Sequence, residues 1–535
     1  MDTISLCPIE EKGIIKMNLS NIENLKLDNV YLTVARFGYK IADVKIVEDN
    51  SLSDYQINIS TNVLNNLKIP IQNPYLVKTN NGEIEFGPYL GIYLGVDDEK
   101  IKWKYERLAG FASNFFEVGG TICAFTLADV KWNTLTVKAF YYDSKTEVWK
   151  KKDMPLPSVI HKYGKMSIKH QKKFKAIYGN RFFNYKEMDK WTERAVLEKN
   201  PVTKKYLPKT EVAEDLDGLR NFLEKHEDIY IKPIKGRKGN GIYRVRKLGS
   251  SYEMTFHTKQ NSNSITYNSI DSLINKFSEV NISDFVLQET LDITFDNRVI
   301  DFRLRFEKDF YGNWVLSLFG ARISNPDGIV SNKSAGGTVL PPETALKKHY
   351  KLNPSEIDKA KENLVNSGLE IIKVIENANV HYGKCAVDLG LDSKGKVWHI
   401  ESNVKSPDDS TTVPFEGFEG INRLSHLNMM YSKSLAGFNN NHMKISLDND
   451  DKTSLSKTKE TYNLFINGTG RNKEINKLID TTIIKINGSI KTKENKNRYK
   501  YFLIEATEIE INQMINEIKQ LDSEGTIKSY LYYKE

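Results

Sequence analysis

The segment that most constrains this chain is Ala386-Val387-Asp388-Leu389-Gly390, followed after a short turn by Val397-Trp398-His399-Ile400-Glu401-Ser402-Asn403. Alternation along the second stretch predicts a strand with Val397, His399 and Glu401 set against Trp398 and Ile400, so that Glu401 and Asn403 share a face. The turn Asp392-Ser393-Lys394-Gly395 folds Asp388 back beside them. Three oxygen-bearing side chains at one point suit a hard divalent cation such as magnesium, which is commonly shared with nucleotide phosphates. A charged surface hairpin would alternate in the same way, so the segment alone does not decide.

A chain of 535 residues exceeds one hydrophobic core, and two to four domains of roughly 100–200 residues each are expected. The balance of 77 basic against 69 acidic residues, net +8, favours anionic ligands but is too mild for a dedicated nucleic-acid binder. The excess is concentrated in Lys150, Lys151, Lys152, Lys162, Lys165, Lys169, Lys172, Lys173, Lys175 and Arg181. That span reads either as a solvated face or as a surface for an anionic polymer. Cys7, Cys123 and Cys385 lack disulfide or zinc-ligand spacing. Met1 to Met17 contains acids, and no run approaches the roughly 18 apolar residues of a spanning helix. A soluble, cytoplasmic protein without a membrane partner is expected.

The fold class expected is a multidomain α+β and α/β protein. Residues 1–88 alternate in short stretches such as Val30 to Val34 and Ala42 to Val47, a β-rich domain. Residues 89–201 read as α/β, with strands at Thr121 to Phe125 and Leu135 to Tyr141, closing on a helix from Met188 to Glu198 before Asn200-Pro201. Residues 202–300 form an α+β unit holding a glycine-rich turn, and 301–438 a second one with the Asp/Glu hairpin and a helix from Pro354 to Asn377. Residues 439–460 have linker composition. In 461–535 the pattern strand, helix, strand, strand, helix, strand, with Ile511, Met514, Ile515, Ile518 and Leu521 as a helix stripe, suggests a ferredoxin-like domain.

Other segments carry chemistry. Ile229-Tyr230-Ile231-Lys232-Pro233-Ile234 runs into Gly236-Arg237-Lys238-Gly239-Asn240-Gly241, a strand lysine before an amide-rich loop. Such loops let backbone N–H groups approach phosphate oxygens, though a plain hairpin turn has the same composition and no GKS/GKT ending is present. Phe285 to Leu291 is an apolar strand ending in the polar pair Gln288 and Glu289, fit to read an adenine edge. In Asp301-Phe302-Arg303-Leu304-Arg305 alternation puts Asp301, Arg303 and Arg305 on one face. Arg322 and the turn Ser331 to Gly337 add further anion-seeking groups.

This order of features resembles the ATP-grasp superfamily over roughly residues 86–435. More narrowly, Phe86-Gly87-Pro88 with Gly91-Ile92, Met154-Pro155-Leu156-Pro157, Asp301-Phe302-Arg303, Ala321-Arg322-Ile323 and Val330-Ser331-Asn332 with Gly336-Gly337 resemble the YheC/YheD-type proteins associated with endospores. The resemblance implies that Lys190 and Lys232 bind ATP phosphates under a lid of Gly236, Arg237, Lys238, Gly239 and Gly241. It implies that Gln288, Glu289 and Leu291 line the adenine and ribose pocket, and that Asp388, Glu401 and Asn403 hold Mg²⁺. Arg303 and Arg322, with Lys232, would contact the transferred phosphoryl group. Ser402-Asn403-Val404-Lys405-Ser406-Pro407 interrupts the more usual Asn-x-Lys-Pro ending, and Val159-Ile160-His161-Lys162 replaces an aromatic-Asn-Arg element, which bears on substrate placement. His399 alone reads as a structural hydrogen-bonder.

The expected activity is an Mg²⁺/ATP-dependent carboxylate–amine or carboxylate–thiol ligase working through an acyl phosphate. Its substrate would be a peptide or protein in a sporulation setting, in the cytoplasm, forespore or spore coat. An ATP-binding coat scaffold without turnover is the alternative.

Overall fold

The computed structural model describes residues 3–27, 31–96, 108–186, 188–234, 241–257, 262–331, 336–378, 380–404, 411–417 and 419–439, and short stretches between 460 and 534. The chain divides into two compact units: Met1–Phe183 with Asp309–Tyr311 and Ser425–Glu535, and Asn184–Lys308 with Gly312–Leu424.

Among the described residues the first unit holds three sheets. A seven-stranded mixed sheet takes its strands from Ser5–Ile9 through Glu83–Gly87. A second sheet has Tyr89–Gly95 at its centre, parallel to both Thr121–Thr126 and Val159–Lys162. All seven residues of Tyr89–Gly95 are buried, the continuous pattern of a strand covered on both faces. The third sheet, near the C-terminus, has the order Ser489–Lys496, Tyr499–Ala506, Glu460–Asn467, Ser529–Lys534, every pair antiparallel. Of the apolar stripe read in this region, Met514 and Ile518 are buried. Ile511, Ile515 and Leu521 lie outside the described residues, as do 440–459 of the expected linker.

Among the described residues the second unit holds two antiparallel sheets. The order in the first is Thr210–Val212, Phe285–Glu289, Asp228–Pro233, Tyr243–Leu248, Ser251–His257, Ser262–Tyr267. Helices Leu216–Lys225 and Ile270–Lys276 cover one face through Leu219, Phe222, Leu223 and Leu273, packed on Ile229, Ile231 and Val245. Both helices start on side-chain caps: Asp215 accepts from the Gly218 amide, and Ser269 forms a capping box with Ser272.

The other sheet has the order Thr338–Leu340, Trp314–Ile323, Arg298–Lys308, Lys384–Leu391, Val397–Asn403. Its apolar face, Phe302, Leu304, Phe306, Val387 and Leu389, packs on Leu364, Ile371, Ile372 and Ile375 of the long helix Pro354–Glu376. That helix begins with Asn353 and Glu356 in a capping box and Pro354 at its first position. Gly368 permits the close approach, since a Cβ there would lie 3.0 Å from the Phe306 ring. Each such fully buried apolar side chain contributes about 1.5–3 kcal/mol.

The ends of the strands that carry Asp388 and Glu401 are tied by one residue. Asn184, buried and in the left-handed region at φ 55, donates to Lys384 O at 2.7 Å and to Val404 O. Its Oδ1 accepts from the Gly383 and Lys384 amides at 2.8 and 3.1 Å. Asn184→Ala strands four backbone groups and adds a left-handed penalty, so a loss of about 2–4 kcal/mol is expected. Urea denaturation measures it, and hydrogen exchange should accelerate first at Gly383 and Lys384.

Candidate active site

Alternation in Arg298–Lys308 divides its side chains: Phe302, Leu304 and Phe306 enter the core, while Asp301, Arg303, Arg305 and Glu307 line the opposite face. Register sets Asp301 beside Arg322 and Arg303 beside Asp388. The four form one buried ladder. Arg303 Nε and Nη2 donate to Asp388 Oδ1 and Oδ2, both at 2.7 Å. Arg322 Nε and Nη2 donate to Asp301 Oδ1 and Oδ2, both at 2.6 Å, and Nη2 also reaches Asp388 Oδ2 at 2.8 Å. Ser331 Oγ donates to Asp301 Oδ2 at 2.6 Å. Burial pushes the Asp388 carboxyl up, but the charges and hydrogen bonds of Arg303 and Arg322 outweigh it and hold it at about 2. Burial likewise opposes the Arg322 charge, and Asp301 and Asp388 overcome it. Arg305, which shares this face, pairs instead with the buried Glu307 at 2.5 Å.

Glu401 arrives on this face through a β-bulge. The register is Leu389 with His399 but Asp388 with Glu401, leaving Ile400 as the extra residue. Uninterrupted alternation along Val397, His399 and Glu401 is therefore corrected. His399 pairs on the side of Leu389, whereas Glu401 and Asn403 pair on the side of Asp388. Burial raises the Glu401 carboxyl above its usual range, with Lys190 opposing and Asp388 and Glu193 adding to the rise.

A cavity of this unit is lined by Lys190, Lys232, Gln288, Glu289, Leu291, Arg322, Asp388 and Glu401 together. Lys190 is the first residue of helix Lys190–Glu198, capped by the Asp189 side chain on the Thr192 amide. Lys232 lies 5.0 Å from the Tyr230 ring centroid and donates to Gln288 Oε1. Burial and then repulsion from Lys190 pull the Lys232 ammonium down to about 7, with Glu401 opposing. Gln288 Nε2 donates to Thr210 Oγ1 at 3.2 Å, and Glu289 Oε1 accepts from the Lys209 amide at 2.8 Å. Arg303, Asn403 and Gly241 are not in the lining, although Arg303 meets it through Asp388. Gly236, Arg237, Lys238 and Gly239 lie outside the described residues, as does 332–335 of the turn after Ser331.

Two lining groups, Glu193 and Asp301, were not assigned to the site from the sequence. His399 Nε2 lies 3.0 Å from Glu193 Oε1 and 2.9 Å from Ser402 Oγ, joining the Lys190 helix to the Glu401 strand. Glu193 sits one helical turn after Lys190 on the same face, the signal that could have found it. Asp301 is the other, placed opposite Arg322 by cross-strand register that a single strand does not reveal.

The donor set fits a hard divalent cation. Among the described residues the Glu401 carboxylate has no ion pair, and Asn403 Nδ2 is buried without a partner. An amide turned by 180° would present oxygen in its place. Asp388 Oδ1 accepts one hydrogen bond and keeps a lone pair. Among the described residues no three His, Cys, Asp or Glu side chains cluster as a metal cage. Magnesium does not need one when phosphates complete its shell.

Residues 179–435 match the family model of the YheC/D-like ATP-grasp, so this stretch carries an ATP-grasp domain. The chain is 26% identical over 398 residues to the endospore coat-associated protein YheD of Bacillus subtilis, 71% of this chain and 85% of YheD. It is 27% identical over 235 residues to the endospore coat-associated protein YheC of the same organism, 42% of this chain and 64% of YheC. Over that stretch it is similar to the YheC/D-like ATP-grasp proteins. Among solved structures, the D-cycloserine synthetase DcsG aligns at 13% identity with a TM-score of 0.37, covering 65% of this chain and 100% of that one. No helix among the described residues is long and apolar enough to cross a membrane.

The lowered Lys232 predicts a proton linkage. Below pH 7 the ammonium is already charged and Mg·ATP binding draws no proton to it. Above pH 7 it is mostly neutral in the free protein, and a bound polyanion restores the charge, so binding takes up a proton and affinity falls by up to about tenfold per pH unit. Calorimetry in two buffers of different ionisation enthalpy should give nearly one proton taken up at pH 8.5 and little from this group at pH 6.0. Lys232→Met should lose the uptake; equal uptake in both proteins would assign it elsewhere.

Proposed function

We propose that the protein is an ATP-dependent carboxylate–amine or carboxylate–thiol ligase. The supporting observation is that two lysines, the ladder residues Asp301, Arg322 and Asp388, and the Glu401 carboxylate, which has no ion pair among the described residues, line one cavity. In this reading a substrate carboxylate oxygen attacks the γ-phosphorus of ATP, the bond to the β-phosphate oxygen breaks, and ADP leaves. The resulting acyl phosphate is attacked by an amine or thiol, and inorganic phosphate departs with the former carboxylate oxygen.

Lys190 and Lys232 would neutralise the phosphates, and Gly236, Arg237, Lys238, Gly239 and Gly241 would add phosphate-binding groups. Gln288, Glu289 and Leu291 would bound the adenine and ribose. Asp388, Glu401 and Asn403 would hold Mg²⁺, which when bound offsets phosphate charge and polarises the transferred group. Arg303 and Arg322 would stabilise oxygens that gain charge during transfer, each contact being worth on the order of 3 kcal/mol of barrier. Because aspartates already neutralise them, their benefit falls on the transition state more than on ground-state ATP. No nucleophilic side chain is required.

The names of YheD and YheC, endospore coat-associated proteins, support an endospore setting, and a peptide or protein of that setting is the substrate class proposed. The same names favour a second reading, an ATP-binding coat scaffold without turnover. Hydroxylamine separates the two, because it traps an acyl phosphate as a hydroxamate. Incubation with Mg·ATP, hydroxylamine and spore-coat peptide fractions should release ADP and hydroxamate in equal amounts, at least about 100-fold less with Arg303→Met. ATP binding with neither product across those fractions would favour the scaffold.

A further inference from the structure

We infer that Asp301 is a positioning residue of this site: it holds the Nε/Nη2 edge of Arg322 so that the Nη1 donors remain for the bound phosphoryl group. This rests on the reading of the cavity as the nucleotide site.

The geometry is specific. Arg322 has five N–H donors in a fixed plane. Nε and one Nη2 hydrogen go side-on to the two oxygens of Asp301, and the second Nη2 hydrogen goes to Asp388. Among the described residues nothing accepts from Nη1, although Arg322 is 6% exposed and lines the cavity. Asp301 is itself fixed from two sides, since its Oδ2 accepts from both Arg322 Nη2 and Ser331 Oγ at 2.6 Å. Two planar groups joined by two parallel hydrogen bonds keep one relative orientation, which a single contact would not impose. Asp388 contributes one hydrogen bond to Arg322 and two to Arg303, so it cannot orient Arg322 alone.

Positioning and simple charge make opposite predictions. An aspartate that only added negative field near the phosphates would, on removal, tighten binding of the polyanion. An aspartate that aims Arg322 would, on removal, loosen ATP while leaving ADP, which lacks the γ-phosphoryl group, nearly unchanged.

The test is calorimetric titration of the full-length chain with Mg·ATP and separately with Mg·ADP. For Asp301→Asn the expected result is ATP weakened about fivefold and ADP within about twofold of the unaltered chain. Asp301→Glu keeps the charge but moves the carboxylate, and should lose the same preference for ATP over ADP. Ser331→Ala removes no charge and little volume; it keeps the test open should Asp301→Asn fail to fold, and should weaken ATP about threefold and ADP not at all. Tighter ATP binding in Asp301→Asn, or parallel losses for both nucleotides in Ser331→Ala, would overturn the proposal. Absence of binding to either nucleotide by the unaltered chain would remove the nucleotide-site reading and this proposal with it.

Discussion

Asp388 is the residue on which the site's arrangement depends. It is 2% exposed and accepts from two guanidinium groups on two different strands. Burying two arginines is tolerable only because Asp388 and Asp301 match them charge for charge and fill the Nε/Nη2 edges. Removing one partner of such a pair leaves an uncompensated buried charge, about 3–5 kcal/mol in comparable cases. A hydrophobic ladder of the same shape could be as stable, so the polar ladder is better explained by what its remaining donors can do than by stability.

The cavity joins two electrostatic regimes. On the ladder side every cation already has its carboxylate, and a ligand gains little from charge alone. On the side of Lys190 and Lys232 two cations share a buried region, and the ammonium of Lys232 is disfavoured to the point of half-protonation near pH 7. A polyanion relieves that conflict directly. In the ligase reading most of the affinity would reside with the lysines, and the arginines would act chiefly on charge that develops during transfer.

Much of this frame was legible in the sequence, because period-two alternation in Asp301-Phe302-Arg303-Leu304-Arg305 sorts core from polar face without knowledge of the partner strands. The hairpin over residues 386–403 was legible through its turn residues, and the helix on Pro354 was expected to reach Asn377, one residue past its end at Glu376. The bulge at Ile400 was not, since an inserted residue leaves no mark in composition and yet moves Glu401 from one face to the other. Nor was the pairing of Asp301 with Arg322, which depends on which strand lies opposite. His399 was read as a structural hydrogen-bonder, in keeping with its contacts to Ser402 and Glu193; the meeting with Glu193 joins residues separated by about two hundred positions, a contact that local pattern does not encode.

The most direct test of the account is calorimetric titration with Mg·ATP of the unaltered chain, Lys232→Ala and Glu401→Gln, each with and without magnesium. Magnesium-dependent binding by the unaltered chain is predicted, weakened at least about tenfold in Lys232→Ala, with the magnesium dependence lost in Glu401→Gln. Binding that survives both substitutions unchanged, or no binding by the unaltered chain, would contradict it.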